Sequence, residues 1–215
     1  MENSNDKAKF LGKVTASMTH EIQNVLAIIK ETSGLMEDFI QMHKTGGLPD
    51  LEERLDKCLD TLKRQAYRGV SLTSGLNGFA HTPDNSECSV DVCETAKKLL
   101  FVTDRLFKQK GVDVTITESS KPCSITTDPV LFQMILFTCI ECLINNFQIH
   151  ALTLDIQSSE DCSAIEFSVN DSRIKDYEQT LVQSAQWEKI MDLSSRIHLA
   201  AEVSKVTPGI LISLK

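Results

Sequence analysis

The stretch Ser17-Met-Thr-His20-Glu21-Ile-Gln-Asn24 sits inside a long apolar repeat and decides how the chain is read. Leu11, Val14, Met18, Ile22, Val25, Ile29, Met36 and Phe39 recur at three- and four-residue steps, as one face of an α-helix requires. The spacing predicts a helix from about Asp6 to His43. At about 100° per residue, His20 falls about 200° from Met18 and points away from the seam. Asn24 lies one turn further on the same outer face, and Lys13, Ala16, Ser17, Ala27 and Glu31 complete that stripe or border it. A histidine among small and polar neighbours makes a surface that another protein can approach closely.

Thr45-Gly-Gly-Leu-Pro49 is a turn by composition. Asp50 reads as an N-cap, with Glu53 as its capping-box partner. A second helix carries Leu51, Leu55, Leu62, Ala66, Val70, Leu76 and Phe79 at helical spacing, and Thr82-Pro83 stops it. Two long amphipathic helices joined by a short turn form an antiparallel hairpin. A second copy would bury the seams that one hairpin leaves open, so a homodimeric four-helix bundle is expected. The alternative is packing onto the rest of the same chain.

Residues 1–82 are therefore read as the helical hairpin, 83–89 as a polar linker and 90–215 as a second domain. Asp91 with Glu94 opens a helix to about Gln109. Val112–Thr117 alternates at period two and reads as a strand, and a short strand is expected at Ser124–Thr126. Asp128-Pro129 opens a further helix, with Asp as cap and Pro at the first helical position. Strands follow at Leu152–Gln157 and Ala164–Val169, with a turn at Ser158, Glu160 and Asp161 between them. A helix over Tyr177–Ala201 and a hairpin of Val203–Lys205 with Ile210–Leu214 complete the chain. The fold class is α+β: a long hairpin followed by a two-layer sandwich of helices on a mixed sheet.

The 215 residues carry a formal charge of −8, which argues against a nucleic-acid partner, since a phosphate backbone favours a basic face. The most apolar run, Val130 to Phe147, includes Gln133, Glu141 and two Asn; it is too short and too polar for a membrane span. The N-terminus has no apolar signal segment. Seven cysteines with no framework spacing read as reduced thiols in a cytoplasm. Cys139-x-x-Cys142 lies in the apolar run and reads as a buried pair. Glu141 in that run needs a partner.

The segment Phe10-Leu-Gly-Lys-Val-Thr-Ala-Ser-Met-Thr-His20-Glu-Ile-Gln-Asn-Val-Leu resembles the phosphoacceptor box of two-component sensor histidine kinases. Arg68-Gly-Val-Ser-Leu-Thr-Ser-Gly-Leu-Asn-Gly-Phe-Ala-His81 is similar to the helix that precedes the kinase ATP-binding domain. Val90-Asp-Val, Lys110-Gly-Val-Asp-Val and Asp128-Pro-Val-Leu-Phe-Gln-Met-Ile-Leu resemble the entry into that domain. The resemblance spans nearly the whole chain. It implies that His20 is the phosphoacceptor, that Glu21 orients the ring or takes its proton, and that Asn24 positions water for dephosphorylating a partner. Val25 stands where the family often has proline.

The departures are informative. Glu141 and Cys142 occupy the place of the family's Mg²⁺-binding Asn, while Asn145 and Asn146 come about one turn late. The family's Asp-x-Gly-x-Gly adenine turn corresponds to Asn170-Asp-Ser-Arg-Ile-Lys175, which has lost both glycines. Ala185-Gln-Trp-Glu-Lys-Ile190 stands where a Gly-rich phosphate turn would be. The resemblance thus implies the kinase fold without a working nucleotide site, as in dimeric histidine phosphotransferases. Such a protein passes phosphate between the aspartates of response-regulator receiver domains. It binds no cofactor or metal of its own, and the receiver brings the Mg²⁺. The other readings are a non-catalytic scaffold that binds a receiver or kinase, and an ATP-dependent kinase with a divergent pocket.

Overall fold

The computed structural model describes residues 2–84, 86–118, 121–158, 163–171 and 174–214, with side chains from Asn5 onward. Helix α1 (Glu2–Lys44) and helix α2 (Leu51–Ala80) form the antiparallel hairpin. The first begins four residues before the predicted start. Val14, Met18 and Val25 of the seam are buried, as is Phe10 just before it. Leu11, Ile22 and Ile29 are half-buried against the core.

Asp50 does not cap α2. Its backbone is left-handed (φ 58°), its side chain makes no capping hydrogen bond, and Glu53 pairs with Lys57 at 2.6 Å instead. A capping residue ordinarily sits in extended backbone, and the left-handed Asp50 does not.

A short 3-10 turn (Thr82–Asp84) leads to strand β1 (Cys88–Asp91) and helix α3 (Val92–Lys108). Cys88 and Ser89, expected in the linker, belong to β1, which pairs antiparallel with β3 (Ser124–Thr127). The Asp91 side chain accepts from Glu94 N at 2.7 Å, while Glu94 turns to Lys98. Strand β2 (Asp113–Thr117) follows, and helix α4 (Pro129–Asn146) comes after β3. The Asp128 carboxylate accepts from Val130 N and Leu131 N, both at 3.0 Å, and also takes Lys7 from α1. Pro129 occupies the first turn, where no N–H is missed.

Strands β4 (Ala151–Ser158) and β5 (Ser163–Ser168) bracket residues 159–162, where Glu160 and Asp161 of the expected turn lie outside the described residues. The helix expected over Tyr177–Ala201 is two: α5 (Tyr177–Val182) and α6 (Ala185–Arg196). Ser184 breaks the run, because its hydroxyl accepts from Trp187 N and starts a new helix. Strand β6 (Ala200–Val203) begins three residues before its expected start and pairs with β7 (Gly209–Leu214).

The main sheet has the order β2-β4-β5-β7-β6, with β2–β4 parallel and the other pairs antiparallel. Leu152, Leu154 and Ile156 on β4 alternate inward with half-buried or exposed neighbours, so one face of the sheet takes the helices. The fold is α+β, with the hairpin followed by a mixed sheet under helices. Gly209 lets β7 approach β5; a Cβ there would stand 2.2 Å from the Phe167 carbonyl oxygen.

Helix α4 is the core helix. Against the expectation that this run is too short and too polar to span a membrane, Pro129–Asn146 is long and apolar enough by composition, but 72% of it is buried inside the protein. Its lower end meets α1: Phe10 packs on Phe137 with ring centroids 5.5 Å apart and on Phe79 of α2 at 5.8 Å. The hairpin therefore covers its first turns with its own chain's sandwich. Farther out it leaves Leu26, Leu35 and Met42 of α1 and Leu59, Tyr67 and Val70 of α2 exposed.

Candidate functional site

His20 is exposed on α1 at the level where the hairpin meets α3. The neighbouring Glu21 turns under the ring into the junction, where its side chain keeps only 17% exposure. A carboxylate so placed needs cations, and two arginines supply them. Arg68 Nη2 from α2 donates to Glu21 Oε2. Arg105 Nη1 from the last turn of α3 donates to Glu21 Oε1 at 2.8 Å. The same Nη1 stands 3.0 Å from His20 Nδ1. With its amide oxygen facing Arg105, Gln109 accepts from Nη2 and Nε at 3.1 Å each. A cleft of about 530 Å³ opens beside this group, walled by Met18, Leu72, Leu100 and Phe101.

The outward stripe is only partly as expected. His20, Asn24, Ala16, Ala27 and Glu31 are exposed. Ser17 is not: it is buried, and its hydroxyl has no hydrogen-bond partner. It lies one residue before Met18 and shares that residue's inward side. Lys13 is exposed but engaged, because its ammonium pairs with Glu141 Oε1 at 2.5 Å and stands 4.8 Å over the Phe137 ring. This pair answers the question of what partners Glu141, and it ties α1 to α4. Lys13→Ala is expected to cost about 1 kcal/mol, because the pair is partly solvated and the ring contact adds a little. Denaturant unfolding with an unchanged m-value checks it.

The residues at the family's nucleotide positions are used within the protein. Asn145 Oδ1 accepts from Lys110 Nζ at 2.7 Å, and Asn146 Nδ2 donates to its own helix at Cys142 O, 2.8 Å. Of Asn170–Lys175, Ser172 and Arg173 lie outside the described residues, and Ile174 packs on the core. Residues 185–190 form the first turns of α6, which packs on α4. Cys139 and Cys142 are buried thiols. Burial pushes Cys139 well above the ordinary thiol range, with the nearby Cys142 adding to it; burial also raises Cys142, against hydrogen bonds from Ser184 and Asn146 that lower it. The six described cysteines are all free. Among the described residues, no three His, Cys, Asp or Glu side chains gather as a metal site would require.

Sequence reasoning missed Arg105, Arg68 and Gln109. The one local signal was Glu21 itself, an acid one position before the seam residue Ile22. Its arginines lie 47 and 84 residues away, so nothing in the local pattern names them.

No family model matches the chain, and no curated protein does. Among solved structures it is similar to the Acinetobacter baumannii histidine kinase AdeS, at 11% identity and a TM-score of 0.48, over 86% of this chain and 95% of that one. It is similar to the ATP binding domain of PrrB from Mycobacterium tuberculosis at 18% identity and a TM-score of 0.49, over 61% and 96%. It is also similar to a bacterial phosphotransferase at 12% identity and a TM-score of 0.43, over 97% of each chain. All three likenesses are distant, and the functional reading rests on the side chains around His20.

Proposed function

We propose that this chain is a histidine phosphotransfer protein of a two-component phosphorelay, moving phosphoryl groups between receiver aspartates through His20. The observation that carries the reading is His20 itself: an exposed imidazole with a carboxylate next to it and small residues, Ala16 and Ala27, on the same face. A neutral imidazole with an unprotonated nitrogen turned outward is the nucleophile that phosphorus needs. In the transfer, a ring nitrogen forms an N–P bond while the P–O bond of the partner's aspartyl phosphate breaks. The aspartate leaves as carboxylate, and the ring sheds its other proton to Glu21 or water. Such a transfer passes through a loose transition state and needs positioning and charge stabilisation more than covalent help. The receiver contributes the Mg²⁺. In this reading Asn24, exposed one turn along, holds water for the reverse, dephosphorylating flow.

A second copy completes the hairpin as a four-helix bundle. The exposed Leu26, Leu35, Tyr67 and Val70 are the apolar side chains that such a partner would cover. The free described cysteines suit a reducing cytoplasm. The scaffold reading draws on one observation, that Arg105 engages the ring, so a receiver could dock without reacting.

One assay separates the readings. The protein is incubated with a ³²P-phosphorylated receiver domain from its own cell, and separately with labelled ATP and Mg²⁺. Acid-labile, base-stable label from the receiver alone is the expected result. Label from ATP alone identifies a kinase. Tight receiver binding without label identifies a scaffold.

A further inference from the structure

The contact between Arg105 and His20 has a consequence for the ring's protons. A guanidinium has five N–H donors and no acceptor. At 3.0 Å from Arg105 Nη1, His20 Nδ1 must therefore be the acceptor. Nη1 carries two hydrogens, one for this bond and one for Glu21 Oε1 at 2.8 Å. An imidazolium does not fit the contact, because both its nitrogens are donors. A neutral ring has a single N–H, which is then on Nε2. Both nitrogens are thereby blocked: the lone pair of Nδ1 is engaged by Arg105, and the outward Nε2 has a proton where phosphorus would bond.

We propose that Arg105 is a latch on the nucleophile, holding His20 in its unreactive tautomer until α3 and α1 part or a partner draws the guanidinium away. The inference rests on His20 being the phosphoacceptor. The reactive tautomer needs its proton on Nδ1 and an acceptor beside it. Glu21 is the carboxylate at hand, and its two oxygens already accept from Arg68 and Arg105. Gln109, which closes α3, backs Arg105 when its amide oxygen is turned toward the guanidinium, and the Arg105 side chain is only 20% exposed. Latch and nucleophile belong to different parts of the molecule, α3 of the sandwich and α1 of the hairpin. A carboxylate or phosphoryl group arriving with a receiver competes for the same guanidinium. Once it leaves, the ring's proton moves through water from Nε2 to Nδ1, the Nδ1–H donates to Glu21, and Nε2 gains a lone pair. Arg105 is thus a positioning residue that acts through the ring's proton.

The test uses the full chain with ¹⁵N-labelled histidine, as wild type, Arg105→Ala and Arg105→Gln. The Gln variant places an amide oxygen where Nδ1–H can donate. Ring ¹⁵N shifts of His20 are expected to place the proton on Nε2 in the wild type and to move it toward Nδ1 in both variants. Phosphoramidate is the small phosphoryl donor: its P–N bond breaks, ammonia leaves, and the N–P bond forms on His20. Labelling is expected to rise about 3- to 10-fold in the variants, the shift that one charge-assisted hydrogen bond exerts on a solvated equilibrium. A wild-type proton on Nδ1, an unmoved tautomer, or slower labelling in both variants overturns the latch. Absence of label from a phosphorylated receiver on all three proteins overturns the relay instead, and the ring shifts still read the latch independently.

Discussion

His20→Ala is expected to remove all acid-labile label acquired from a phosphorylated receiver, a fall of at least about 10³-fold, with the fold intact. The loss is chemical. An alanine has no lone pair to meet phosphorus, and the other histidines stand elsewhere: His43 Nδ1 faces Leu48 O at 3.0 Å, and His81 pairs with Asp84 at 2.8 Å. Stability should barely move. The site is exposed and helical, where alanine is a few tenths of a kcal/mol better than histidine. Arg105 loses one contact but keeps Glu21 and Gln109. The melting temperature should stay within about 2 °C. Quantitative autoradiography beside a thermal scan checks both halves. Label that persists on the alanine protein, mapped by mass spectrometry to another residue, would move the acceptor away from His20.

Much of this arrangement is legible locally. The seam from Leu11 to Phe39 is a period that any helix must answer, and the two Asp caps at Asp91 and Asp128 form as their sequences imply. What misleads is backbone direction and distant pairing. Asp50 carries the same signature as Asp91, yet its φ is 58° where that of Asp91 is −71°. Strand β1 hides in a polar stretch because its stability comes from the ladder with β3, Cys88 to Thr127 through Asp91 to Ser124, rather than from an alternating pattern of its own. Likewise, the helix expected to reach Ala201 gives way early, because Ala200 and Ala201 pair with Ser213 and Ile212. At the site, His20 and Glu21 are neighbours in one local motif, whereas the cations that hold Glu21 come from two other helices that no local pattern names. Lys13 keeps the exposed place on the outer stripe that helical arithmetic gives it, but its partner Glu141 is 128 residues away and no local pattern names it.

Phe10→Ala is expected to destabilise the protein by about 3–4 kcal/mol, the usual range for emptying a buried phenylalanine site. Phe10 stands at the junction of three elements. Its ring meets Phe79 of α2 edge-on and Phe137 of α4 tilted, and Phe137 continues to Phe107 of α3 at 5.6 Å. The cavity would open where hairpin and sandwich join, and neither side can collapse into it without moving a helix. The effect should be local to the joint. Far-ultraviolet dichroism should keep the helical signal, since α1 gains a better helix former at that position, while protease access to the segment after Ala80 should increase. Phe137→Ala, which removes the same contact from the other side, should be less than additive with it. The ion pairs of Lys7 and Lys13 remain in each variant, so a loss below about 1 kcal/mol would mean that those pairs, and not the ring, hold the two parts together. The result also bears on Arg105. A loosened joint lets α3 move relative to α1, so labelling of His20 by phosphoramidate should rise in Phe10→Ala even as the protein grows less stable. Stability and reactivity moving in opposite directions would mark the joint as the element that sets the ring's proton.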